Sequence, residues 1–301
     1  MTKSSRVWTV NVVILITFAL IGLKAVNEPK NDFRFAIMGD RTGGAQPQIY
    51  GRVWREIDLM HPEFVVNVGD TIQGKEDEMA ESEWMELRPV WARYSHYPLY
   101  FTPGNHDIWS DFSKALYEKE SGRKTHYSFN YQDAHFTILD TSLNRNLDDE
   151  QLDFLEKDLQ AHQDKDPKFV IFHHQYWIQK ITDGEDFRLH ELAKRYGVDR
   201  VLSGHGHRFL RIVHDGIPYI EVGSSGGTMN GARMRGEGFP DGIFYHWVWA
   251  HVKGSKVFLT VKEIDGPMGQ GRMFKAEDWD SMNGGPAFNI ADPALSIHPE
   301  T

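Results

Sequence analysis

The sequence predicts an α/β fold, and three observations carry that expectation. Five short runs, Phe33 to Met38, Phe64 to Val68, Leu99 to Phe101, Phe169 to Phe172 and Val201-Leu202, are apolar and rich in β-branched and aromatic residues. Such runs are the signature of strands in a sheet covered on both faces. Stretches with helical spacing lie between them. Each run also ends in a small polar cluster: Gly39-Asp40, Gly69-Asp70, Gly104-Asn105-His106-Asp107, His173-His174 and Gly204-His205-Gly206-His207. In an open α/β sheet, ligands bind beyond the carboxyl ends of the strands, so these clusters are placed to converge.

The elements follow in order. Lys3 and Arg6 precede a largely apolar stretch from Val7 to Leu23, and Ala25 offers a small residue for cleavage. Residues 1–25 therefore read as an export signal or, left uncleaved, a membrane anchor, which places the chain outside the cytoplasm or at a membrane. The folded domain is expected over residues 32–265. Gln48 to Met60 carries Ile49, Val53, Ile57 and Met60 at helical spacing, and Asp148 to Leu159 carries Leu152, Leu155 and Leu159 after an acidic start. A third helix, Glu81 to Tyr94, is expected to break near Pro89. A fourth, about Phe187 to Tyr196, stops at Gly197. Tyr219 to Val222 is a further strand, and Tyr245 to Val252 with Val257 to Glu263 forms a hairpin around Lys253-Gly254-Ser255-Lys256. Residues 266–301 show no clear periodicity and read as a C-terminal extension.

Composition bounds the function. A chain of 301 residues, 40% hydrophobic and 13% aromatic, can bury a core of ordinary enzyme size. Its net charge is −10, and the only charges in the first 25 residues are Lys3, Arg6 and Lys24, so the remainder is more acidic still. That field argues against non-specific binding to nucleic acid or to anionic lipid, leaving the N-terminal segment as the one route to a membrane. Cysteine is absent, which excludes disulfides and thiolate metal sites. Nothing in the pattern sets an oligomeric state.

Asp carboxylates, an Asn amide and neutral His nitrogens make a mixed O/N donor set. It suits Mn, Fe or Zn, with Mg as a further candidate, whereas Ca would call for nearly all oxygen. Two such ions roughly 3.5–4 Å apart can hold a hydroxide and neutralise the attacking and leaving oxygens of a phosphoryl group. The expected reaction is hydrolysis of a small phosphoester, and monoesters, diesters and pyrophosphates fit the motifs equally.

The ordered set GD, GDxx, GNHD, H and GHxH, from Asp40 to His207, resembles the calcineurin-like metallophosphoesterase superfamily. The resemblance implies a four-layer αββα sandwich of two mixed β-sheets flanked by helices. It implies Asp40 and His207 on one metal ion, Asp70 bridging, and Asn105, His173 and His205 on the other. It also implies that His106, paired with Asp107, stabilises phosphate and protonates the leaving alkoxide. His173 is chosen over His174 because the family's ligand follows the apolar run directly, and in a continuing strand the two would face opposite ways.

One departure stands out. The family's second ligand, two residues after the first Asp, is replaced here by Thr42, and the tyrosine of the purple acid phosphatase branch by Gln73. Thr42 or Gln73 could supply a neutral oxygen, or water could fill the gap, and Arg41 could fork onto a substrate phosphate or pair with a surface carboxylate. The same departure supports an alternative reading as a metal-binding scaffold or sensor of weak activity. Two other motifs compete. Gly69 to Lys75 matches GxxxxGK, but Glu76 stands where Ser or Thr is needed. Gly223-Ser224-Ser225-Gly226-Gly227 matches GxSxG, which would make Ser225 the nucleophile of a serine hydrolase, although no helix is expected after it.

Overall fold

A computed structural model of the protein describes residues 31–229, 238–265 and 271–287. Two six-stranded mixed sheets lie face to face with helices on both outer surfaces, the four-layer arrangement implied by the motif set. The first sheet is built from β1 (Asp32–Met38), β2 (Phe64–Asn67), β3 (Leu99–Phe101), β10 (Tyr245–Lys253), β11 (Lys256–Ile264) and β12 (Met273–Lys275), in the order β12-β11-β10-β1-β2-β3. The second holds β4 (Tyr127–Tyr131), β5 (Ala134–Ile138), β6 (Lys168–His174), β7 (Arg200–Gly204), β8 (Leu210–His214) and β9 (Ile217–Glu221), in the order β4-β5-β6-β7-β9-β8.

The period of two along each strand sorts the side chains into layers. From the first sheet Phe33, Phe35, Ile37, Phe64 and Val66 point inward, meeting Phe136, Ile138, Phe169, Ile171 and Leu202 of the second. Rings dominate this seam: Phe35 stacks on Phe64 at 4.9 Å and Phe136 on Phe169 at 4.6 Å. Ala36, Met38 and Val65 take the opposite face, under α1 (Ile49–Met60), α2 (Asp77–Arg93) and α3 (Asp111–Ser121). Val170, Phe172 and Val201 of the second sheet face α4 (Asp149–Ala161), α5 (Trp177–Thr182) and α6 (Arg188–Tyr196). Both central strand sets are thus buried twice, which is why they read as unbroken apolar runs.

Parallel pairing decides where the polar clusters go. β1, β2 and β3 run parallel, as do β5, β6, β7 and β9, so within each set the carboxyl ends share one edge. The segments after β1, β2, β3, β7 and β9 and the end of β6 all meet there.

Three expectations change. The helix expected to break at Pro89 is continuous from Asp77 to Arg93. Pro89 lies on its exposed side, and so does Met85, the residue whose carbonyl loses its donor, so water can satisfy that carbonyl. The hairpin connection is two residues rather than four, because Lys253 pairs with Lys256 and Gly254 takes the left-handed turn position at φ 61°. Of residues 266–301, the described part is 271–287; there β12 extends the first sheet and Trp279, 1% exposed, packs into the core between the sheets. The N-terminal segment lies outside the described residues. Among the described residues no helix is long and apolar enough to cross a membrane.

Candidate metal centre

Asp40 leaves β1 in a left-handed conformation, φ 51°, as do Asp70 (56°), His205 (80°) and His207 (54°) past their own strands. Non-glycine residues avoid this region, and holding four together costs several kcal/mol by the usual figure of about 1–3 kcal/mol each, strain of the kind that clusters at functional sites. Neighbouring glycines make the convergence possible. A Cβ at Gly223 would stand 2.1 Å from Asp40 Oδ2, and one at Gly104 would stand 2.2 Å from the Asp70 nitrogen.

The side chains of Asp70, His173 and His205 bring donor atoms within 4.8 Å of one another, and so do those of Asp40, Asp70 and His207. Asp70 belongs to both groups. His173 donates its Nδ1–H to the Val68 carbonyl at 2.9 Å, which leaves Nε2 as the nitrogen with a lone pair. That Nε2 lies 3.2 Å from Asn105 Oδ1 and 3.2 Å from Asp70 Oδ1. Either a proton on Nε2 or a cation can satisfy these three atoms. His207 is set the same way, with Nδ1–H donating to the Thr228 carbonyl at 2.7 Å and Nε2 3.7 Å from Asp40 Oδ1.

Electrostatics describe the same need. Burial opposes charge on Asp70, yet His173 and His106 hold its carboxyl well below the usual range. Burial opposes charge on His173 too, but Asp70 and Asp40 raise it to about 9. Burial, aided by the like charge of Asp70, pushes Asp40 well above the carboxylate range. Burial and the charge on His173 take His174 down to about 3 and His205 to about 4, and burial lowers His207. Protons on Asp40 and His173 thus occupy places that cations would take. Asp40 Oδ2 and His205 Nδ1 are buried without any hydrogen-bond partner, and an unpaired buried carboxylate oxygen fits a cation ligand.

The structure brings together Asp40, Asp70, Asn105, His173, His205 and His207, with His106 beside them: its N–H donates to Asp70 Oδ1 at 2.9 Å. The expected His106–Asp107 pair does not form. His106 Nδ1 meets the Gln73 carbonyl, while Asp107, fully buried, accepts N–H groups from Thr71 (2.7 Å), Ile72 (3.2 Å) and Gly104 (2.9 Å). A carboxylate so occupied ties the loop after β2 to the loop after β3. Burial and Asp70 raise it to about 6 against the bonds from Gly104 and Thr71.

Four other candidates are turned to local partners. Thr42 donates to Gln73 Oε1 at 2.8 Å, and the Gly44 N–H reaches the same oxygen at 2.9 Å. Arg41 donates to the Thr71 carbonyl at 3.2 Å and lies over the Tyr50 ring at 5.7 Å, and among the described residues it pairs with no surface carboxylate. Ser225 is buried, donating to the His246 carbonyl at 2.9 Å, which removes it from nucleophilic use.

Sequence reasoning missed two neighbours. His174 does not face away from His173: the register of β6 shifts between Ile171 and His174, and the His174 ring comes 4.1 Å from that of His205. Its Nδ1–H donates to the Thr141 carbonyl at 2.7 Å, and Nε2 is buried without a partner, as is His205 Nδ1 across from it. The doublet His173-His174 was the only signal. Glu221, raised to about 7 by burial, ends β9 beneath the histidine loop with Arg208 Nε at 3.4 Å, and no motif pointed to it.

With the geometry in place, comparison with known proteins is decisive for the family. The family model for calcineurin-like phosphoesterases matches residues 33–209, more than half of the chain. The chain belongs to the calcineurin-like phosphoesterase family. Solved structures with this fold include a purple acid phosphatase from yellow lupin, at 16% identity and a TM-score of 0.59, covering 88% of this chain and 58% of the lupin chain. A dimetal phosphatase from Danio rerio shares 11% identity with a TM-score of 0.55, over 83% and 100% of the two chains. GAP50, the anchor in the inner membrane complex of Plasmodium, shares 14% with a TM-score of 0.53, over 84% and 92%. This calcineurin-like chain spans 58% of the lupin phosphatase's length. No curated protein matches it in sequence.

Proposed function

We propose that the protein is a metal-dependent phosphoesterase that hydrolyses a small phosphomonoester or phosphodiester at a dinuclear centre. The observation that carries this reading is the double membership of Asp70 in two donor groups, each completed by buried or half-buried His and Asp side chains. Asp40, Asp70 and His207 would hold one ion, and Asp70, Asn105, His173 and His205 the other. The donor chemistry suits Mn, Fe or Zn, with Mg as a harder alternative. Such ions, when bound, supply Lewis acidity toward phosphoryl oxygens and draw the pKa of a coordinated water toward neutrality.

The chain's own residues supply the rest. His106 commits Nδ1 to the Gln73 carbonyl, so Nε2 is the nitrogen that hands a proton to the leaving alkoxide. The His174 ring, 4.1 Å from that of His205, packs against this ligand and holds its aim. Asp107 keeps the two loops that carry Asp70 and His106 in register.

A second reading, a metal-holding scaffold, draws on the bond between Thr42 and Gln73. That bond leaves the Asp40 group short of a donor and suits a weaker ion there. Metal analysis with hydrolysis assays on p-nitrophenyl phosphate and its bis-ester, across Mn, Fe, Zn and Mg, separates the two. Turnover of either ester supports the enzyme, and bound metal without turnover supports the scaffold. The proposal also places the protein outside the cytoplasm, exported or anchored by residues 1–25. Cell fractionation with and without that segment tests it: equal distribution of the two forms would contradict export.

A further inference from the structure

Beside the metal centre opens a cavity of about 640 Å³, bordered by Arg145, Asn146, His174, Gln175, Tyr176 and Lys180. Its link to the centre is His174, whose ring adjoins His205. A space of this size is far larger than orthophosphate needs and is in the range of sites for whole small molecules. Its lining mixes polar side chains with Tyr176 and Ile178, which suits a leaving group with both polar and apolar parts.

Arg145 is the distinctive member. It belongs to the loop between β5 and α4, and that loop is pinned on both sides. The Thr141 carbonyl accepts both the Arg145 N–H at 3.1 Å and the His174 Nδ1–H at 2.7 Å, while the Gln151 Oε1 accepts the Asp140 N–H at 2.9 Å. The pinned loop holds Arg145 at φ 58°, a conformation an arginine does not adopt without tertiary support. In a chain with 43 acidic residues against 33 Lys and Arg, no carboxylate pairs with this guanidinium among the described residues. Lys75, also left-handed at φ 76°, sits on the Asn105 carbonyl and has no carboxylate partner among the described residues. Lys180, by contrast, is neutralised by Glu185 within the cavity. Arg41, the cation that the sequence offered for substrate, is committed to Thr71 and Tyr50.

We infer that this cavity takes the leaving group of the substrate, that Arg145 binds a second phosphoryl group carried on it with Lys75 adding charge, and that the preferred substrates are therefore phosphoanhydrides or bisphosphate esters. A planar guanidinium meets two phosphate oxygens at once, which gives it both strength and orientation there. The inference rests on the phosphoesterase reading above. In the reaction, water adds to phosphorus, the bond from phosphorus to the leaving oxygen breaks, and a proton ends on that oxygen; with pyrophosphate both products are orthophosphate.

The test compares the metal-loaded full chain with Arg145→Ala and Arg145→Lys on p-nitrophenyl phosphate, inorganic pyrophosphate and glucose 1,6-bisphosphate, the last two separating anhydride from ester. Arg145→Ala is expected to lower kcat/KM for a substrate with a second phosphoryl group by about tenfold more than for the aryl phosphate, chiefly through KM, with part of the loss restored by lysine. Calorimetric titration with methylenediphosphonate, a non-hydrolysable analogue, should show about tenfold weaker binding to Arg145→Ala, while orthophosphate binding changes far less. Equal factors on all three substrates and both anions would overturn the subsite and leave the phosphoesterase reading standing. Hydrolysis by the wild type of none of them, nor of bis(p-nitrophenyl) phosphate, with methylenediphosphonate still held through Arg145, would overturn that reading and retain the subsite.

Discussion

Replacing Asp107 by alanine tests whether this carboxylate is a clamp between loops or a partner in the chemistry. It is fully buried and accepts N–H groups from Thr71, Ile72 and Gly104 at 2.7, 3.2 and 2.9 Å. A hydrogen bond to a charged acceptor contributes about 1.5–3 kcal/mol, and truncation leaves the buried N–H groups without partners. The upward shift to about 6 shows that burial and Asp70 already consume part of that stabilisation, so the low end applies. Counting two strong bonds and one weak one, we expect Asp107→Ala to cost about 3–4 kcal/mol in the metal-free protein. For a chain of this size each kcal/mol moves Tm by about 2–4 °C, giving a fall of about 6–16 °C in thermal unfolding. Asp107→Asn keeps one acceptor oxygen but turns an amide NH2 toward a backbone donor, so its loss should be smaller but measurable. If Asp107→Ala melted within about 2 °C of the wild type while turnover on an aryl phosphate collapsed, the clamp would be wrong and a direct catalytic role would be restored.

Three further outcomes follow from the same geometry. His106→Ala should lower turnover about 10²–10⁴-fold with metal content nearly intact, whereas Asp70→Asn should lower both; unchanged turnover in His106→Ala would remove its assigned role. His174→Ala should weaken metal binding about 10–100-fold, read by competition with a chelator, because His205 loses the ring that holds its aim; an unchanged affinity would show that His174 plays no part in positioning His205. His246, fully buried, has its pKa lowered from 6.5 to about 4 by burial. A depressed folded value means that its contribution is fully present above pH 6.5 and is lost as pH falls through 4, by about 3 kcal/mol from this group. Urea unfolding from pH 7 to 4 should therefore show a smaller acid loss in His246→Phe than in the wild type, relative to each protein's value at pH 7, and identical slopes would contradict this.

What could be read from the chain alone follows from how its elements are buried. β1, β2, β3, β6 and β7 are covered on both faces and announce themselves as apolar runs, and α1, α4 and α6 carry clean stripes ending near Met60, Ala161 and Gly197. The hairpin of β4 and β5 was missed because β4 is only half-buried and Gln132-Asp133 is not one of the strong turn pairs. β12 was missed because three residues carry no period, although Phe274 and Trp279 pack against the central core. At the site, the glycine-flanked clusters gave the positions of the converging donors. They could not give the partners of those donors: whether Thr42 turns to an ion or to Gln73, or Asp107 to His106 or to three N–H groups, depends on loops far apart in sequence. His174 was expected to face away from His173, but a strand irregularity, invisible in a run of residues, turned it back toward His205. Arg145 has no motif at all, since its place depends on a loop pinned by Thr141.

The central claim is that two cations share the Asp70 carboxylate, and a crystal structure of the protein grown with Mn or Zn, with anomalous scattering to locate the ions, tests it most directly. The account predicts two peaks, one within coordination distance of Asp40 and His207, the other of Asn105, His173 and His205, with Asp70 touching both. A single ion away from Asp70, or none under saturating metal, would contradict it.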